Sequence, residues 1–224
     1  IIDRHIDSLN PRTAGRHLPS GALRLRDIVP LTVVSFVLLV VAAGQLNTLA
    51  LVLSPFAAAY LVFYPYTKRF TWIGSLALGM ALAIAPMGAW VGVRGTFDWE
   101  PLLLASAVFF WAGSFDILYH VQDRDFYVRR GLYSVVQRFG ISAAFKYARV
   151  LDLLFVAVLV ALGFSMRLGY PFFAGCLLTV GLMLYKYRIV SPKDLSYLDI
   201  VFFRINSYVS VVVFLSITLA VLVQ

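Results

Sequence analysis

Apolar residues in this chain gather in long blocks separated by short polar connections, without the period-two alternation of a strand in a lipid-facing barrel. Seven blocks stand out, at 28–46, 49–66, 72–93, 102–120, 151–166, 170–187 and 200–223. A helix needs roughly 17 or more apolar residues to cross the hydrocarbon. All of the blocks meet that length except 151–166, whose flank extends it. Lipid offers the backbone no partners, so only helices or closed barrels span it. The predicted fold class is therefore all-α, a polytopic transmembrane helical bundle.

Charge then orients the bundle. Hydrophobic residues make up 61% of the 224 positions and charged residues only 13%, a balance that excludes an ordinary soluble core. If the connections alternate sides, one face collects 16 of the 19 Lys and Arg. The other holds Arg94 and Arg167, and Arg204 lies within the last block. So lopsided a count predicts an integral protein of the cell inner membrane with its basic face in the cytoplasm. The net charge of +8 is thereby assigned to topology, and no nucleic-acid partner is expected. A lone Cys176 excludes disulfides and thiolate metal sites. His5, His17 and His120 show no ligand spacing and read as loop or interface polar groups. The chain opens on Ile-Ile-Asp without methionine or signal sequence, so the expectation is the interior of a longer protein.

Carboxylates are costly at a membrane boundary unless they bind something, and here they cluster on the basic face. Asp3 and Asp7 are four apart, so on a helix they share one face and can share a divalent cation. Asp116, Tyr119 and Asp123 follow one another at offsets of three and seven from the first, along one helical stripe. Hard oxygen ligands without His or Cys favour Mg²⁺, and Mg²⁺ held by few carboxylates usually carries phosphate oxygens as well. Arg12, Arg16 and Lys68 are the cations expected around a diphosphate.

Several ordered motifs then resemble one family. The run from Ile1 to Thr13, followed by Arg16-His-Leu-Pro-Ser-Gly, resembles the end of the first aspartate-rich motif of the UbiA superfamily of membrane prenyltransferases. Phe115-Asp116-Ile-Leu-Tyr119-His-Val-Gln122-Asp123 resembles the second. Tyr64 and Lys68 match a Tyr-x-x-x-Lys element, and Ser191 to Ser196 with Phe202 to Asn206 is similar to the tail of the quinone-pathway branch. The resemblance implies a nine-helix bundle around a central cavity, of which this chain carries seven helices in a single domain, 1–224, without the first two. It implies a Mg²⁺ cofactor held by the two aspartate motifs. It also implies a polyprenyl diphosphate and an aromatic acceptor such as 4-hydroxybenzoate as substrates, with no obligate protein partner.

On that resemblance Asp3, Asp7, Asp116, Asp123 and Tyr64 are the expected catalytic residues. Arg12, Arg16, Lys68, Tyr119 and Arg138 are expected to bind substrate, and Asp3, Asp7, Asp123 and Asp125 to bind metal. Two departures stand out. The later motif usually reads Asp-x-x-x-Asp, whereas Tyr127 stands four residues after Asp123 and leaves Asp125 as the candidate substitute. His17 replaces a proline common in the first motif's loop. Physically, an allylic carbon releases diphosphate when the growing charge is neutralised, and Tyr64, Phe115 and Tyr119 are the aromatic faces best placed to steady the carbocation. The connection 123–147 is expected to cap the cytoplasmic mouth against water. Alternatives weighed are other prenyl acceptors (a naphthoate, a futalosine-pathway intermediate, a lipid glycerol phosphate), a transporter, and a binding scaffold without turnover.

Overall fold

A computed structural model describes residues 1–223; Gln224, the last position of the expected domain, lies outside the described residues. A short helix α1 (Arg4–Leu9) precedes α2 (Leu25–Leu46) and α3 (Thr48–Phe63), and a 3₁₀ segment (Tyr64–Arg69) leads to α4 (Gly74–Arg94) and α5 (Glu100–Tyr119). A 3₁₀ turn (His120–Asp123), α6 (Arg124–Arg130), α7 (Val135–Ser165), α8 (Tyr170–Ile189), α9 (Leu198–Ile200), a π-helical turn (Val201–Ile205) and α10 (Asn206–Leu222) complete the chain. Among the described residues no strand forms, and seven helical spans are long and apolar enough to cross a membrane.

Local chemistry sets the element boundaries. Asn47 caps α3 by accepting from the Ala50 N–H at 2.8 Å, and its amide donates to Val91 and Gly92 carbonyls at the end of α4. The α2–α3 turn is thereby pinned to a neighbouring helix. Ser134 caps α7 through the Gln137 N–H at 3.0 Å. Gly131, at φ +65°, ends α6, and Gly140, at φ +81°, breaks the helical path inside α7. The fifth span thus starts well upstream of residue 151, and the segment 123–147 consists mostly of helix: α6, a tight turn, the first turn of α7, the Gly140 bend and the start of the span proper.

Helix α5 packs between α4 and α7, and α8 pairs with α10. Gly79 and Gly113 allow the first contact: a Cβ on Gly79 would stand 2.5 Å from the Phe109 carbonyl oxygen, and one on Gly113 would stand 2.9 Å from Leu76 Cδ2. Close backbone approach is therefore what these small residues secure. Gly175 does the same for α8 and α10, where an added Cβ would meet Ser216 Cβ.

One buried ion pair crosses the bundle. Lys186 of α8 is 0% exposed and Asp152 of α7 is 4% exposed, with Nζ and Oδ2 2.5 Å apart. Tyr187 Oη donates to the same Asp152 oxygen at 2.6 Å, and Lys186 Nζ donates to Ser114 Oγ of α5 at 3.4 Å. Three helices are tied by one lysine. Removing one partner strands a buried charge, whereas replacing both with apolar groups relieves two desolvation costs. Asp152→Leu alone is expected to lower stability by about 3–5 kcal/mol. The Asp152→Leu/Lys186→Met double variant is expected to recover most of that loss in thermal unfolding in detergent.

Candidate active site

A cavity of about 280 Å³ opens at the end of the bundle where α1, the Tyr64–Arg69 segment, the C-terminal end of α5 and α6 converge. It is lined by Asp3, Asp7, Asp116 and Asp123, by Arg12, Arg16 and Lys68, and by Tyr64 and Tyr119. The two aspartate groups, more than a hundred positions apart in the chain, thus face one space. Asp125 does not join them. Its side chain is 79% exposed and pairs with its neighbour Arg124 at 3.3 Å. Asp123 ends the 3₁₀ turn, whereas Asp125 lies in the first turn of α6 on its exposed side. Arg138 is likewise absent from the lining, its guanidinium resting 5.5 Å from the centre of the Phe139 ring.

Each wall is positioned by its own secondary structure. Helix α1 presents Asp3 and Asp7 one turn apart, and the loop after it turns back through Asn10 and Arg12. Asp123, 5% exposed, receives Arg12 Nε and Asn10 Nδ2 on Oδ1, both at 2.9 Å, and Arg12 Nη2 on Oδ2. The hydrogen bond to Asp123 holds the Arg12 guanidinium above its already high ordinary pKa, against the opposing effect of burial. Lys68 pairs with Asp3 at 2.8 Å, and Arg16 with Asp7 at 3.3 Å. The backbone N–H of Tyr133 donates to the Lys68 carbonyl at 2.8 Å, so the turn after α6 closes one side.

The aromatic wall is layered. Tyr119 stacks on Phe202 with ring centres 3.8 Å apart, Phe115 meets Phe202 edge-on at 5.5 Å, and the Arg12 guanidinium lies 4.5 Å from the Tyr119 centre. Phe202 sits in the π-helical turn, whose wider path breaks the regular helical repeat.

Asn10, Thr13, Tyr133 and Ser134 also line the cavity without a signal in the sequence, and they are joined by Tyr127, noted only as a departure from the motif, and by His120. His120, read there as an interface group, faces Asp116 through Nδ1 at 3.1 Å from Oδ2, and faces Tyr127 through Nε2 at 3.0 Å from Oη. Its offset of four from Asp116 was the available signal. Among the described residues no three Asp, Glu, His or Cys side chains converge closely enough to hold a metal unaided. The donor set still suits a hard cation. Asp3 and Asp7 offer carboxylate oxygens, and Asp3 Oδ1 is buried without a hydrogen bond, with Arg69 3.5 Å away.

Comparison with known proteins decides the assignment. The model of the UbiA prenyltransferase family matches residues 1–208. The chain belongs to this family. The prenyltransferase is 30% identical over 228 residues to a 4-hydroxybenzoate octaprenyltransferase of Photobacterium profundum, covering 100% of this chain and 77% of that protein. A 4-hydroxybenzoate octaprenyltransferase of Yersinia pseudotuberculosis is 32% identical, covering 97% of this chain and 75% of its own length. Among solved structures, the apo form of a UbiA homolog from Aeropyrum pernix K1 superposes with a TM-score of 0.86 at 30% identity, over 97% of this chain and 80% of that one. The all-helical membrane bundle read from the sequence is therefore the fold of this prenyltransferase.

Arg12→Ala leaves the buried Asp123 carboxylate with Asn10 alone, and is expected to cost about 1.5–3 kcal/mol of stability, as for other charge-assisted hydrogen bonds. Arg12→Lys, which lacks the fork, is expected to recover less than half of that shift in thermal unfolding.

Proposed function

We propose that this enzyme transfers a prenyl group from a polyprenyl diphosphate to a ring carbon of an aromatic acceptor, 4-hydroxybenzoate or a close analogue, in quinone biosynthesis. The observation that carries the reading is the single cavity in which two acidic motifs meet Arg12, Arg16 and Lys68. Four carboxylates beside three cations suit a metal-bound diphosphate, since each sign needs a partner at the edge of lipid.

Asp3 and Asp7 are the residues that would hold Mg²⁺. When bound, that ion neutralises charge growing on the departing diphosphate. Arg12, Arg16 and Lys68 bind the phosphate oxygens, Arg12 through the N–H groups that its fork on Asp123 leaves over and Lys68 as a point charge. The C1–O bond of the allylic substrate breaks with both electrons leaving on the diphosphate. Tyr64 turns aromatic surface toward the positive carbon, such a contact contributing about 0.5–2 kcal/mol, while Tyr119, between Phe202 and the Arg12 guanidinium, holds Arg12 at the cavity. The carbon then bonds to the ring next to its hydroxyl, and the proton on that ring carbon passes to the released diphosphate, restoring aromaticity. A cavity of about 280 Å³ takes the polar head and the acceptor; the rest of a polyprenyl chain has to run out along the apolar helices. The cavity opens on the end of the bundle that carries the basic connections, which supports a site facing the cytoplasm from the inner membrane.

A second reading follows from Tyr127, which fills the place of a carboxylate: a family member that binds diphosphate without turnover. Transfer by the native full-length protein removes that reading.

In a labelled-prenyl assay, Asp3→Ala and Asp123→Ala are each expected to abolish transfer to 4-hydroxybenzoate, and chelation of divalent cations to do the same reversibly. Activity retained in either variant counts against the proposal.

A further inference from the structure

The two acidic walls of the cavity differ in what already holds them. On the α1 wall, Asp3 pairs with Lys68 through Oδ2 at 2.8 Å but its Oδ1 is buried and accepts no hydrogen bond, and Asp7 has two long contacts at 3.3 Å, Thr13 Oγ1 on Oδ1 and the exposed Arg16 on Oδ2. On the α5 wall every carboxylate has close partners. Asp123 has both oxygens engaged, Oδ1 by Asn10 and Arg12 Nε and Oδ2 by Arg12 Nη2. Asp116 is drawn to His120, whose Nδ1 lies 3.1 Å from Oδ2 and 2.9 Å from the Asp116 carbonyl. Both of those groups are acceptors, so Nδ1 carries a proton. The other ring nitrogen faces Tyr127 Oη at 3.0 Å.

Tyr127 occupies the next place on this wall, four residues after Asp123, and is 5% exposed. Its ring is fixed among Phe126, Leu132 and Ile6, and its oxygen is tied to the imidazole. A neutral phenol in that state is a poor substitute for a carboxylate toward Mg²⁺, which demands hard, anionic or water oxygens in near-octahedral array. Asp125, the other acid nearby, points out of the cavity. A cation approaching Asp123 would have to displace a guanidinium that forks both its oxygens.

Resting on the diphosphate reading above, we infer that this site binds one divalent cation, on the Asp3/Asp7 wall, and that Asp123 acts as the anchor of Arg12. The hydrogen-bonded chain Asp116–His120–Tyr127 stands where a second cation would otherwise be held. Positive charge on the α5 wall is supplied by the protein itself. Arg12, held by Asp123, is available to the phosphate oxygens, and Asp3 and Asp7 would hold the cation that supplies the remaining positive charge.

The test counts cations and leaves turnover aside. Mn²⁺ bound to the full-length protein is titrated by electron paramagnetic resonance in saturating methylene diphosphonate, a diphosphate that cannot be cleaved at its bridge. One Mn²⁺ per chain is expected in the native protein. Asp3→Asn is expected to lose it. Asp123→Asn is expected to keep it, with diphosphonate affinity lowered about tenfold as Arg12 loses its anchor. Tyr127→Asp is expected to raise the count to two. Two Mn²⁺ per native chain, or loss of the cation in Asp123→Asn, overturns the inference and leaves the diphosphate reading standing. Absence of both Mn²⁺ and diphosphonate binding in the native protein overturns both.

Discussion

A guanidinium fork on a buried carboxylate joins residues 111 positions apart, Arg12 on the loop after α1 and Asp123 at the end of α5. The cavity depends on it. Without that fork, the loop that follows α1 keeps only the neutral Asn10 bond to Asp123, and the first motif loses its charged tie to the second. Asn10 adds a second bond from the same loop, and Tyr119 receives the third nitrogen of the guanidinium. One side chain therefore sets loop position, charge balance and the exposure of an aromatic face together. A lysine would supply the charge and lose the geometry.

Much of this was legible in one dimension because lipid imposes so strong a constraint. Blocks of apolar residues long enough to span, and basic residues crowded into alternate connections, leave few arrangements open. Offsets of three, four and seven among Asp3, Asp7, Asp116, Tyr119 and Asp123 placed them on helical stripes, and all five line the cavity. The fifth span was harder to delimit. Lys146, Arg149 and Asp152 interrupt its hydropathy, and only the tertiary partner Lys186 explains how Asp152 is accommodated. The bend at Gly140 then joins two helical directions that no periodicity separates.

What stayed hidden in the site has the same character. Asn10 gains its role from a partner on another element, and the His120–Tyr127 contact joins two residues whose spacings, each visible in the sequence, say nothing of their meeting. Asp125 shows the converse, an acid at a plausible spacing that the helix carries outward. Sequence spacing reports which face of one element a residue occupies. It is silent on what stands opposite.

The Lys186–Asp152 pair bears on how such a chain enters the bilayer. Each of these residues, alone in hydrocarbon, costs several kcal/mol, and they belong to successive helices joined by a short turn at 166–169. A hairpin that inserts with acid and base already matched carries no net burden of charge into the lipid, whereas either helix entering singly does. Biogenesis of this bundle is therefore best served by delivering α7 and α8 as one unit.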